Sequence, residues 1–210
     1  LILMNHPNRR HFLHTAAGAA VLTSGAFSPW LRAQDTPGKK YRTALIGSGG
    51  WGMNILRVAI EDGAVDVVAL CDVDADELEV SADEVESITG KLPATYRDYR
   101  EMLEKEKIEI AIISTPDHWH ALQGIACIEA GAHVFVEKPT GHTIQESRAM
   151  VKATRAHDRV VQVGMHRRIG PHHVSGMKFL KEGGAGEIGM IRAFAHSAGG
   201  PEAPTPNEPV

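Results

Sequence analysis

The sequence predicts an α/β fold: a Rossmann-type doubly wound parallel sheet, followed by the start of an incomplete α+β second domain. Three observations point there. From Lys40 onward, apolar strand-like runs alternate with helical stretches, the pattern of a parallel sheet with helices on its faces. Ile108–Ser114 is a continuous run rich in β-branched residues, as a strand buried on both faces requires. Gly47, Gly49 and Gly52 stand at G-x-G-x-x-G spacing directly after Ala44-Leu45-Ile46, and an acid, Asp72, follows Gly52 by 20 residues.

Taken in order, Tyr41–Ile46 reads as a strand, Trp51–Glu61 as a helix and Val65–Cys71 as the next strand. Asp74–Thr89 is a strongly acidic helix, with Asp74 placed to cap it. Tyr96–Glu106 reads as a short helix and Ile108–Ser114 as a central strand ended by Pro116. Asp117 is placed to cap the helix His118–Ala130, and Gly131 suits its C-terminal end. Val134–Val136 and Val160–Val163 complete the strands, with the helix Ile144–His157 between them. These elements make one domain over residues 39–164, long enough to bury its own core. A helix at His173–Lys181 and a strand at Ile188–Ala195 then open a second domain, residues 165–210. The sequence breaks off in the proline-rich stretch GGPEAPTPNEPV, so a longer protein, cut short, is expected.

Composition excludes some classes. With 43% hydrophobic residues and a net charge of −4, the chain reads as an ordinary soluble domain without the basic face that nucleic-acid binding needs. The N-terminal residues 1–33 read as an export signal. Asn8-Arg9-Arg10-His11-Phe12-Leu13 is a twin-arginine signature, Thr15–Phe27 is weakly apolar, and Leu31-Arg32-Ala33 offers a cleavage site. The partner implied is the twin-arginine export machinery, which carries folded proteins, and the expected location is periplasmic or extracytoplasmic. Cys71 and Cys127 lie in apolar segments, where free cysteine acts as a small hydrophobe rather than as part of a disulfide framework.

Each part of the glycine turn has a job in holding a dinucleotide. Gly47 permits the tight turn, Gly49 lets the backbone approach a pyrophosphate, and Gly52 lets the helix pack closely on the strand. The helix N-terminus presents free N–H groups to the anion. Gly47, Gly49, Gly50, Trp51 and Gly52 are therefore the candidate cofactor contacts, with Asp72 as acceptor for a ribose 2′-hydroxyl. Residues 72–86 carry eight acids and no Lys or Arg, which favours NAD over NADP unless folding brings in a distant arginine.

Two further groups lie at predicted strand ends, where ligands of open α/β sheets bind. In Ser114-Thr115-Pro116-Asp117-His118-Trp119-His120, the two histidines are spaced i, i+2 and do not share a helix face, so no metal site is assigned. In Val136-Glu137-Lys138-Pro139, the Lys138 ammonium is placed to stabilise an alkoxide developing during hydride removal.

Together these residues resemble the Gfo/Idh/MocA family of sugar and polyol oxidoreductases, over nearly all of Tyr41–Pro209. The resemblance rests on the glycine turn, Asp72, Thr115-Pro116 with His120, Glu137-Lys138-Pro139, and Val163-Gly164-Met165-His166-Arg167-Arg168. It implies NAD as cofactor, Lys138 as catalytic lysine and Glu137 as its positioning partner. It also implies cofactor contacts from Thr115, Pro116, His120, Glu137 and Arg168, a cis bond before Pro139, and a homo-oligomer for the full-length protein. The family's general base, from an Asp-x-x-x-His element of the second domain, is assigned to no residue here, because no aspartate follows Asp158.

The function expected is hydride transfer between a sugar, sugar acid or cyclitol hydroxyl and nicotinamide. Exported relatives of the family include glycosidases that work by transient oxidation with bound NAD, but these lack a lysine at the Glu-Lys-Pro position, so Lys138 favours the dehydrogenase. A non-catalytic nucleotide or sugar binder is a third reading, disfavoured by the same lysine.

Overall fold

The computed structural model describes residues 38–194. The twin-arginine segment and the proline-rich stretch lie outside the described residues. The chain divides into two compact units between Val163 and Gly164.

In the first unit the strands β1 (Tyr41–Ile46), β2 (Val65–Cys71), β3 (Ala94–Tyr96), β4 (Ile110–Ile113), β5 (His133–Glu137) and β6 (Val161–Gly164) form one sheet. Their order is β3-β2-β1-β4-β5-β6. The four pairs β1/β2, β1/β4, β2/β3 and β4/β5 are parallel. Strand order therefore reverses between β1 and β4, which opens a crevice at their carboxyl ends. The crossovers are α1 (Gly50–Asp62), α2 (Ala75–Thr89), α3 (Tyr99–Lys105), α4 (Asp117–Glu129) and α5 (Ile144–Ala156).

The strands read as unbroken apolar runs because both faces of the sheet are covered. Ala44, Ile46, Ala111, Ile113, Val134 and Val136 pack under α3 and α4, against Met102, Cys127 and Ile128. The alternate residues Leu45, Leu70 and Ile112 pack with Leu56 of α1 and with Leu78 and Val85 of α2.

Three expectations need correction. Tyr96 belongs not to a helix but to β3, whose residues Ala94–Tyr96 pair with Ala69–Cys71. Three residues are too few for a visible alternation, and α3 starts only after Asp98, whose side chain accepts from the Arg100 N–H. Asp117 does not cap α4: the capping position is Pro116, and Asp117 sits inside the first turn. The strand expected at Ile188–Ala195 does not form over the described residues 188–194. A strand needs a neighbouring ladder for its N–H and C=O groups, and no described segment of the second unit offers one. That unit contains α6 (His166–Ile169) and α7 (Pro171–Lys181).

Both cysteines lie in the core. Burial, with Asp72 and Asp98 nearby, pushes the Cys71 thiol from 9.0 up to about 12. Burial beside Cys71 does the same to Cys127, also to about 12. Each thiol holds its proton more tightly in the folded than in the unfolded chain. Their contribution to stability is therefore intact below the unfolded value and is lost as pH rises through the folded one. Thermal melts should show a drop between neutral pH and pH values above 9.0 that is smaller in a Cys71→Ala/Cys127→Ala variant. An equal drop in both would remove the thiols as its cause.

Candidate nucleotide-binding crevice

β1 ends in a turn that only glycine can make. Gly47 has φ +89°, and a Cβ there would stand 2.7 Å from the Ser114 carbonyl carbon and oxygen, in the chain leaving β4. Gly52 is tighter: its Cβ would lie 2.0 Å from the Gly47 carbonyl oxygen. At Gly49 a Cβ would meet nothing within 4 Å, so the backbone there borders open space. Gly49 is also the N-cap of α1, and no side chain caps that end. A helix start without a side-chain cap is a place where an anion can be received.

The side chain opposite is Asp72, just past β2. One of its oxygens accepts the Ser48 N–H at 2.7 Å and the Ser48 hydroxyl at 3.4 Å, and the other accepts the Asp74 N–H at 3.1 Å. Ser48 is fully buried, and its carbonyl accepts the Ser81 hydroxyl of α2 at 2.7 Å. The glycine turn is thereby pinned to β2 on one side and to α2 on the other. Neither serine was identified from sequence. The signal for Ser81 was a polar residue on the face that buries Leu78, Ala82 and Val85.

These parts enclose a crevice of about 440 Å³. Of the predicted residues, Gly47, Gly49, Asp72, Thr115 and Pro116 line it, joined by Ser114, Trp119, Gln123, Arg97 and Arg100. Gln123, buried on α4 and missed from sequence, accepts the Thr115 hydroxyl at 2.6 Å. Gly50, Trp51 and Gly52 stand in the first turn of α1 and are not among the lining residues, with Gly52 serving the packing just described.

His120 is buried beneath the wall rather than part of it. Its Nδ1 lies 2.5 Å from the Pro139 carbonyl oxygen and its Nε2 2.8 Å from that of Thr115, so the ring braces the end of β4 against the turn after β5. The Lys138–Pro139 bond in that turn is cis. Glu137 is buried, and its carboxylate accepts the Lys138 backbone N–H at 3.2 Å. The Lys138 side chain is exposed. Arg168 lies on α6 in the second unit, where it is exposed.

A doubly wound sheet with a glycine turn after its first strand, a helix start without a side-chain cap and an acid at the neighbouring strand end defines a dinucleotide-binding α/β protein. The chain belongs to the Gfo/Idh/MocA oxidoreductase family with an NAD-binding Rossmann fold, matched over residues 41–165. Among its relatives, a glycosyl hydrolase family 109 protein of Shewanella pealeana is 29% identical over 203 residues, which is 86% of this chain and 44% of the relative. The crystal structure of myo-inositol 2-dehydrogenase from Lactobacillus plantarum superposes with a TM-score of 0.63 at 30% identity, covering 71% of this chain and 43% of that one. The WlbA dehydrogenase from Bordetella pertussis, solved in complex with NADH and UDP-GlcNAcA, gives 0.61 at 25% identity, with 69% and 43% covered. The chain spans less than half the length of these relatives.

Gly52→Ala tests the close approach directly. The added methyl meets backbone, so α1 must shift, at a cost of about 1–3 kcal/mol in overpacking. Urea denaturation should register that loss, and an unchanged midpoint would contradict the contact.

Proposed function

We propose that the whole protein is an NAD-dependent oxidoreductase that moves a hydride between a hydroxyl-bearing carbon of a sugar, sugar acid or cyclitol and nicotinamide. The observation that carries this reading is the convergence of Gly47, Gly49, Asp72 and Thr115 on one crevice where strand order reverses. The residues fit the group: the uncapped start of α1 suits a pyrophosphate, and the Asp72 carboxylate keeps acceptor sites for a ribose hydroxyl beyond the bonds it makes. Bound NAD supplies the hydride acceptor or donor.

The chain's own residues bind, orient and polarise. Lys138, at the carboxyl end of β5, donates a hydrogen bond to the reacting hydroxyl and stabilises the negative charge that builds on its oxygen. Glu137 holds the Lys138 backbone, and His120 holds the turn that follows. The twin-arginine segment supports export of the folded, loaded protein and a periplasmic or extracytoplasmic place of action.

A second reading has a specific observation behind it, since the Shewanella pealeana relative is named as a glycosyl hydrolase. The same nucleotide crevice would then serve a transient oxidation. Lys138 favours the dehydrogenase.

Calorimetric titration of the 210-residue chain with NAD should show saturable binding that Asp72→Ala weakens by about tenfold, the loss of one charge-assisted hydrogen bond. Absence of binding would sink the reading. In the full-length protein, Lys138→Ala should lower kcat by two orders of magnitude or more, roughly the size of one removed oxyanion donor. Net NADH formation in the wild type identifies the dehydrogenase, whereas free sugar released without net cofactor change identifies the glycosidase.

A further inference from the structure

Along the sequence no cation stands between Asp72 and Glu86, but the sheet brings one in. β3 lies beside β2 in register Leu70 to Thr95 and Cys71 to Tyr96, so Arg97 emerges next to the residues that follow β2. Its Nη2 donates to the Val73 carbonyl at 2.9 Å, which anchors the guanidinium one residue from Asp72. Arg97 and Asp72 line the same crevice, with Arg100 beside them. Among the described residues, no ion pair engages the Arg97 side chain.

The acids around it already accept other hydrogen bonds, and none of them pairs with Arg97. Asp74 caps α2 by accepting from the Asp76 and Glu77 N–H groups at 3.0 and 3.3 Å. Asp98 caps α3 and pairs with the Arg100 side chain at 3.3 Å. Asp72 accepts from Ser48 and Asp74. The Arg97 guanidinium keeps donors beyond its bond to Val73, and its planar fork matches a phosphate.

We infer that Arg97 is a specificity-determining residue at the adenosine end of the crevice, and that through it the site takes a 2′-phosphorylated dinucleotide, NADP, as well as NAD. The inference rests on the nucleotide reading above and extends it. Asp72 recognises the free 2′-hydroxyl and sets the preference for NAD. Arg97 limits that preference by supplying the countercharge that a phosphomonoester needs.

The test is a set of titrations of the 210-residue chain with NAD, NADP, 5′-AMP and 2′,5′-ADP, at low and moderate salt. Wild type should bind both dinucleotides, and salt should weaken NADP and 2′,5′-ADP more than NAD and 5′-AMP. Arg97→Ala should raise the ratio of the NADP to the NAD dissociation constant about tenfold, and Arg97→Lys should restore part of it. Thermal melts check that each variant is folded, and the wild-type salt comparison stands whether or not they are. NAD binding without NADP binding overturns the inference and leaves the nucleotide reading standing. So does an Arg97→Ala effect that is equal for both dinucleotides. Failure of wild type to bind any of the four overturns both.

Discussion

Everything at the crevice depends on one steric constraint: the start of α1 is pressed onto the end of β1, and the end of β1 onto the chain leaving β4. A Cβ at Gly52 would overlap the Gly47 carbonyl, and one at Gly47 would overlap Ser114. Three backbones share a space that leaves no room for side chains, and this brings the α1 N–H groups to the carboxyl ends of the two central strands. Gly50 and Gly52 are poor helix formers, which costs some helix stability. Burial of Met53 and Leu56 on the same helix, at about 1.5–3 kcal/mol per large side chain, offsets that cost.

The second link is Ser48. Its N–H donates to Asp72 and its carbonyl accepts from Ser81, so one buried residue ties the turn to β2 and to α2. Asp72 thus has a structural role before any ligand arrives. The two roles are compatible because an ionised carboxylate offers about four acceptor sites, and the turn uses only part of them. The carboxylate that would read the ribose is held in place by the loop that would hold the phosphates, so the two ends of the nucleotide site are fixed relative to each other.

How far the chain could be read in advance follows from the range of each signal. Long amphipathic helices and buried strands carry a periodicity, and β1, β2, α2 and α5 were found within a residue or two. β3 was not, because Ala94–Tyr96 is too short to show one, and it is defined by pairing with β2. The strand expected near Ile188 had the right composition but lacks a partner ladder among the described residues. In the site, glycine spacing and Asp72 were legible because the motif is local. Gln123, Ser81 and Arg97 were not, since each reaches its place through a helix face or a neighbouring strand. Arg97 is the clearest case, being 25 residues from Asp72 in sequence yet on the wall of the same crevice.

The turn after β5 shows how a flexible side chain can be aimed by rigid surroundings. Lys138 has a long exposed stem, but its backbone is held by Glu137, and Pro139 is held by His120. The Thr140 and Ser147 hydroxyls lie 3.0 Å apart, and Glu146 accepts from the His142 and Thr143 N–H groups in a capping box that starts α5. The root of the lysine is therefore fixed to β4 through His120 and to α5 through the capping box, leaving only rotamers free. The phosphate turn and Asp72 would serve a dehydrogenase and a transiently oxidising glycosidase equally well. Under the proposed reading, Lys138 is the cation at this root that would hold the alkoxide formed during hydride removal.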